Sequence, residues 1–554
     1  MHKLNRILLT GLVVAGLTAC SDRLDVTNQQ SADAARALAR ATDVEALIGG
    51  AFNTHFQAIW STSSLEPAME CLGMENYSNL ANFGMATRCA TPRGPIPNGL
   101  NNPSATETYF DYLRLHRAAR QAALGLYSVN QTSFTFLPAD TARTNRAKAF
   151  ANFAIGVALG QLAMAYDSGV AVDEDDDPSE SSPPLPFVGY DSLARYAVAR
   201  LDSALKYSAN QGTNTIPTSW LVTPSALTVA QFRGLIRGYA ARISSGVART
   251  PAERGTGAGS LVNWTRVQAD ADSFIAAFPT DFTEVMDGNN WFVAWAHSQM
   301  YASNSANWHQ IWGLVAGMSD SSQGYSAWLA TAPDVRAPYT VLSPDLRWPQ
   351  GATRTTQQAD ARANNLQYIE NRASGNDWFG DPSGNSQYRH RRWFLVRTAG
   401  GIGNYTPMLT AEMNLLAAEA FYRQGTFAQA AVRIDRSRVT RAGLPPVVGS
   451  ASVDGVSPVP GGTGCVPKIP AAPNYTSAVC GTLWEALKYE KRMETAFTVW
   501  GAWWFDGRGW GDLAAGTALS YPVPYQEMFV RQRVGYPLGG FGLPTGAPAG
   551  TYGW

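Results

Sequence analysis

Excess charge of either sign is missing from this sequence, in which 43 Lys and Arg face 43 Asp and Glu. A chain so balanced carries no electrostatic footprint for nucleic acid or for an anionic membrane surface. Histidine is scarce, with 6 in 554 residues. None forms the His-Glu-x-x-His pattern of a helix-borne zinc site, and His297 and His309 stand well apart. The 5 cysteines include no Cys-x-x-Cys pair of the kind that holds structural zinc. The glycine clusters "GTGAGS" and "TAGGIGN" lack the Lys-Ser/Thr ending of a phosphate loop, and no Gly-x-Ser-x-Gly elbow occurs. Chain spacing therefore gives no positive sign of catalysis, of a cofactor or of a metal centre. The acidic run Asp173 to Asp177 is the nearest approach to a cation site. It lacks the alternating ligands and central glycine of a calcium loop and reads as a solvated loop, with calcium as the alternative.

Long apolar runs are scarce as well. The one at the start, "LLTGLVVAGLTAC", follows Lys3 and Arg6 and is shorter than the roughly 20 residues needed to span a bilayer. It reads as a secretory leader. Its ending, Leu17-Thr18-Ala19-Cys20, resembles a bacterial lipobox, which implies cleavage before Cys20 and acylation of its thiol. On that reading residues 1–19 are the leader and the remaining chain hangs from a membrane by lipid. No other run reads as a span. The four cysteines left over suit an oxidising compartment and two disulfides. Three pairings are open, and the local pairs Cys71–Cys89 and Cys465–Cys480 are favoured because each closes a loop rich in Gly, Pro or Asn.

What the chain does have is helix periodicity, in pairs. Asp43–Trp60 is matched with Glu107–Tyr127, Arg143–Tyr166 with Tyr190–Tyr207, and Ala226–Arg249 with Trp264–Phe278. In "LTAEMNLLAAEAFYRQGTFAQAAVRIDRSRVTRAGL", Leu409, Met413, Leu416 and Ala420 step by four, three and four, placing them on one helix face. Gly425 breaks that helix, and Phe427, Ala430, Ala431 and Ile434 begin another. Paired helices with small residues at their contacts predict a tetratricopeptide-like scaffold, whose units bury their apolar faces only by stacking.

The late pair, with Glu419, Gly425 and the Arg441–Leu444 ending "RAGL", is followed by Glu490, Arg492 and Glu494, then Trp504-Phe505-Asp506, and then Pro522-x-Pro524 with Glu527. This succession resembles the C-terminal half of the SusD/RagB family of outer-membrane nutrient-binding lipoproteins. "RAKAFANFAIGVALGQLAMAYDSGV" and "CSDRLDV" resemble its earlier helix and its mature start. The chain departs from the family where Trp500-Gly501-Ala502-Trp503 lacks the usual Gly-x-Arg.

The resemblance implies a mainly α fold: a helix-pair scaffold over about 33–280 and 408–444, with a loop-rich ligand-binding part over about 281–407 and 445–554, in a single domain from residue 20. It also implies capture of a nutrient oligomer, glycan or peptide, at the cell surface of the outer membrane, and delivery to a TonB-dependent transporter. No enzyme activity, cofactor or nucleic acid is expected. A surface hydrolase and a helical-repeat scaffold for protein partners are the alternatives. The expected ligand surface combines "ENYSNLANFG", with Tyr77, Asn79, Asn82 and Phe83, and "NNWFVAWAHSQMYASNSANWHQIWG", with Trp291, Trp295, Trp308 and Trp312. Aromatic faces stack on sugar rings or peptide side chains, and amides bond hydroxyls. The spacing of four within Trp291/Trp295 and Trp308/Trp312 equally fits a buried helix stripe.

Overall fold

The computed structural model describes residues 38, 40–61, 64–102, 106–131, 134, 136, 140–176, 184–293, 309–360, 367–373, 386–537 and 546–554. Cys20 lies outside them. Eight long helices form four successive antiparallel pairs: α1 (Ala41–Ile59) with α2 (Thr106–Asn130), α3 (Thr141–Ala165) with α4 (Tyr190–Ser208), α5 (Val229–Gly246) with α6 (Trp264–Ala277), and α7 (Thr410–Arg423) with α8 (Phe427–Arg438). Each pair also packs on the next, α2 against α3, α4 against α5 and α6 against α7, which is the stacked-repeat arrangement the periodicity predicts.

Local chemistry sets the boundaries. Asp140 caps α3 by accepting the Arg143 N–H (3.0 Å), and Thr228 with Gln231 forms a reciprocal capping box on α5. Every residue of α3 from Ala149 to Ala165 is buried, and the helix is long and apolar enough to cross a membrane by composition, yet its most apolar stretch is 94% buried within the protein. No run beyond the leader was expected to be long enough for a span, but a core helix of a large protein and a membrane span look alike in hydropathy, and α3 has the burial of a core helix. Two glycines let α3 sit so deep. A Cβ on Gly156 would meet Leu201 of α4 at 2.8 Å, and one on Gly160 would meet Ile243 of α5 at 2.3 Å.

Strand β1 (Phe282–Asp287) pairs antiparallel with β2 (Ile402–Met408), which runs directly into α7, so the intervening chain leaves the scaffold and returns at one place. The excursion has its own core, containing Trp312, Tyr325, Trp328, Trp348 and Tyr388. A second excursion carries the hairpin β3 (Lys468–Pro470) and β4 (Ala478–Cys480). Both disulfides form in the local pairs, Cys71–Cys89 and Cys465–Cys480.

The region 445–554, assigned to the loop-rich part, instead contributes two buried helices, α9 (Leu483–Thr495) and α10 (Ala502–Trp510). Helix α9 is buried on all sides despite carrying Glu485, Lys488, Glu490, Lys491, Arg492 and Glu494. Its charges are paired. Arg347 binds Glu490 (2.8 Å), Glu494 (3.0 Å) and Asp345 (2.7 Å), Lys491 binds Asp506 (2.8 Å), and Lys488 and Arg492 bind Asp512 (3.0 and 2.7 Å). Arg254 binds both Glu419 (2.7 Å) and Asp506 (2.8 Å). The residues that carried the family resemblance thus belong to three buried ion-pair clusters on α9: Glu490 and Glu494 with Arg347, Arg492 with Asp512, and Glu419 and Asp506 with Arg254, the last joining scaffold to α10 and, through Lys491, to α9. Burial would push the Glu419 carboxyl up, but Arg254, Arg423 and Lys491 more than offset it and hold the group well below the usual carboxylate range.

Candidate functional site

The two segments expected to make the ligand surface meet. After the short buried helix Glu66–Leu72 the chain turns tightly at Gly73, where a Cβ would lie 2.6 Å from the Trp504 backbone, and Met74 takes a positive φ of 60°. Tyr77 then pairs with Gln310 in an antiparallel bridge, with N–H to carbonyl distances of 2.8 and 3.0 Å. The third strand of this junction comes from residues 386–390: the Ser386 N–H donates to the Gln310 side-chain carbonyl (2.8 Å), and the His390 N–H donates to His309 Nε2 (3.0 Å).

Asn76 stands at the centre. Its backbone carbonyl accepts the Trp312 indole N–H (2.8 Å), and its side-chain carbonyl receives His309 Nδ1. Because His309 Nε2 accepts an N–H, the ring proton belongs on Nδ1. Burial first, then the neighbouring His390, Arg372 and Arg389, hold His309 well below its ordinary pKa, so it is a neutral structural link. Beneath lies a group of buried acids. Burial pushes Glu75 up to about 8, although its carboxylate accepts the Phe497 N–H and faces Arg392, while Glu66 and Asp111 are also raised, chiefly by burial.

Of the residues expected to touch ligand, Tyr77 and Trp291 do not present open faces. Tyr77 is 4% exposed and packs edge-on to Trp312 (5.4 Å between ring centres). Trp291 is 8% exposed and sits in the scaffold core against Phe56 (4.9 Å). Trp295 and Trp308 lie outside the described residues. Asn79 is half-buried, and its side-chain carbonyl has no partner among the described residues. Ala81 and Asn82 are exposed, and the half-buried Phe83 adopts a φ of 56°, a left-handed conformation rare for a bulky residue. The acidic run is not free in solvent: Asp173 and Glu174 both bind Arg200 (2.6 and 2.5 Å), and Asp177 lies outside the described residues.

A cavity of about 480 Å³ adjoins the junction, with Met74, Trp312 and Leu314 in its wall. Its other walls come from Leu329–Pro333, Asn474–Thr476 and Tyr552–Trp554, which lie within the stretches 281–407 and 445–554 expected to bind ligand but were not among the residues expected to touch it. The one available signal was an aromatic residue, Tyr475, inside the Cys465–Cys480 loop.

No protein-family model matches the chain, and no curated protein matches it by sequence. Solved structures do match in shape. A SusD-like protein from Bacteroides fragilis NCTC 9343 is 11% identical, with 86% of this chain and 88% of that one covered at a TM-score of 0.52. A SusD-like carbohydrate-binding protein from the same organism is 10% identical over 86% and 87% of the two chains, at 0.51. A SusD homologue from Parabacteroides distasonis ATCC 8503 is 11% identical over 84% of each, also at 0.51. The fold is SusD-like. At identities of 10–11% the likeness is one of fold alone. The ligand chemistry of this SusD-like chain must therefore be argued from its own side chains.

Proposed function

We propose that the protein is a cell-surface glycan-capture lipoprotein, anchored to the outer membrane through Cys20, that passes an oligosaccharide to a TonB-dependent transporter. One observation carries the reading: the two separate segments expected to form the ligand surface are joined at the Tyr77–Gln310 bridge of a SusD-like fold. At that junction the exposed Asn82 supplies an amide for hydroxyls, and the half-buried Asn79, whose side-chain carbonyl is turned inward, stands three residues before it. Trp295 and Trp308, which belong by sequence to the segment returning at His309, remain the proposed stacking residues. A SusD-like relative in fold is described as carbohydrate-binding, which favours sugar over peptide and binding over turnover.

Calorimetric titration with glycan and peptide pools tests the ligand class. Binding of a glycan pool without hydrolysis supports the reading; binding of peptides alone, or release of shortened sugars, defeats it. Membrane fractionation tests the anchor, since Cys20→Ala should release the protein, and purification from solubilised membranes tests for a co-isolated barrel transporter.

A further inference from the structure

We propose that the cavity beside the junction is a binding site for a neutral sugar unit, built by the tip of the β3–β4 hairpin and the segment Tyr552–Trp554. The inference rests on the glycan reading above and adds a second region to it.

The hairpin is built to hold its tip still. The Cys465–Cys480 disulfide closes its base, and the Lys468 N–H donates to the Met318 carbonyl (2.9 Å) while the Ala478 N–H donates to Ser326 Oγ (3.0 Å), docking both strands on the excursion core. Within the tip, the Ala471 N–H donates to the Ser477 carbonyl and the Tyr475 N–H to the Ala471 carbonyl, each at 2.8 Å. Tyr475 itself sits at a φ of 54°, a strained setting that persists only where the surroundings fix it. Its ring lies directly on Gly553, where an added Cβ would be 2.3 Å away. The ring is nonetheless half-exposed and lines the cavity. Trp554, also half-exposed, lines the same space, with its indole N–H given to the Asp512 carbonyl (3.0 Å) and its ring packed on Tyr552.

The lining selects the ligand. Two fixed, part-exposed aromatic rings offer stacking surface at small entropic cost, and Asn474 and Thr476, exposed on either side of Tyr475, supply an amide and a hydroxyl. Arg336 is the sole charged residue in the wall. Its guanidinium is committed to the Thr331 and Leu329 carbonyls (both 3.0 Å) and stacks over Trp328. With no acidic side chain in the wall, and with two donors of its one cation held by backbone carbonyls, the side chains facing the space are aromatic, amide and hydroxyl groups rather than ionic partners. A ligand with an apolar ring face and a hydroxylated rim, which is a neutral hexose or pentose unit, matches it. The volume lies within the range of about 300–1,000 Å³ usual for small-molecule sites. Trp312, 1% exposed, backs the cavity and bonds Asn76, which fixes the cavity wall to the junction.

The test titrates the full mature chain with short neutral glucan, mannan and xylan oligosaccharides and with a uronic acid oligomer. Tyr475→Ala should weaken binding of whichever neutral sugar the wild type takes by roughly tenfold or more, as for a truncated aromatic anchor. Tyr475→Phe should retain binding. Ala332→Arg, which places bulk at an exposed wall position away from the hairpin, should weaken it without altering the thermal transition, guarding against misfolding of the Tyr475 variant. Wild-type binding of a neutral sugar with Tyr475→Ala and Ala332→Arg both unaffected overturns this site and leaves the glycan reading intact. Preference for the uronic acid oligomer also overturns it, and failure of the wild type to bind any of these sugars overturns both.

Discussion

Replacing Arg254 by Met should be among the most damaging single changes on the scaffold. Arg254 is fully buried between Glu419, also fully buried, and Asp506, and it donates to Glu419 at 2.7 and 2.8 Å and to Asp506 at 2.8 Å. Methionine fills comparable space but leaves two carboxylates facing each other out of water. Removing one partner of a buried pair costs about 3–5 kcal/mol. Here Glu419 keeps Arg423 (3.2 Å) and the Trp510 indole (3.1 Å), and Asp506 keeps Lys491, so the lower end, about 3 kcal/mol, is expected. Urea unfolding followed by tryptophan fluorescence measures it. Arg254→Met with Glu419→Gln should recover part of the loss, because Asp506 keeps Lys491 and the part-exposed Arg423 can turn to water. The pH dependence has a definite sign. The folded Glu419 carboxyl lies below its unfolded value of 4.5, so its contribution is present above that value and is lost as pH falls through the folded pKa. In Arg254→Met this acid sensitivity should shrink. A single variant within about 1 kcal/mol of wild type, or a double variant no more stable than the single, would refute the argument.

Other outcomes follow from packing and linkage. Gly160→Ala drives a methyl into Ile243 and should destabilise by about 1–3 kcal/mol, whereas an unchanged unfolding midpoint would mean the α3–α5 contact yields easily. Glu75, raised to about 8, favours folding below pH 4.5, and that contribution is lost as pH rises through about 8; Glu75→Gln should flatten the decline in melting temperature across that window, and an unaltered decline counts against the assignment. Replacing Cys465 and Cys480 together by Ser should cost about 3 kcal/mol in the chain-entropy picture and weaken sugar binding at Tyr475, with calorimetry and melting read on the same sample.

The scaffold was legible because helix pairing leaves a strong periodic trace: Met413, Leu416 and Ala420 fall on one face of α7 in the structure as in the sequence, although Leu409, read as part of that face, is the extended residue before the helix and packs in the other core. The cysteine pairs were legible for a similar reason, being close in sequence. The ligand surface was harder to read. A tryptophan spaced by four from its neighbour gives the same pattern whether it faces solvent or core, and Trp291 proves to be a core residue against Phe56. Tyr77 occupies a segment correctly placed at the site, yet its ring is used to support Trp312. Helix α9 escaped assignment to the core because burial of six charged side chains is visible only once Asp345, Arg347 and Asp512, distant in sequence, are seen beside them. The cavity partners Tyr475 and Trp554 are joined by neither periodicity nor motif.

The charge cluster around Arg254 also sets a condition for closing the molecule. Its two carboxylate partners lie 165 and 252 residues further along the chain, on α7 and α10. Stacking the first three helix pairs alone leaves Arg254 without either of them, so the seam is sealed only when the fourth pair and α10 have docked. A product cut short before α10 keeps Glu419 for Arg254 but leaves Lys491 without its carboxylate, an unpaired charge where the complete protein has a closed core.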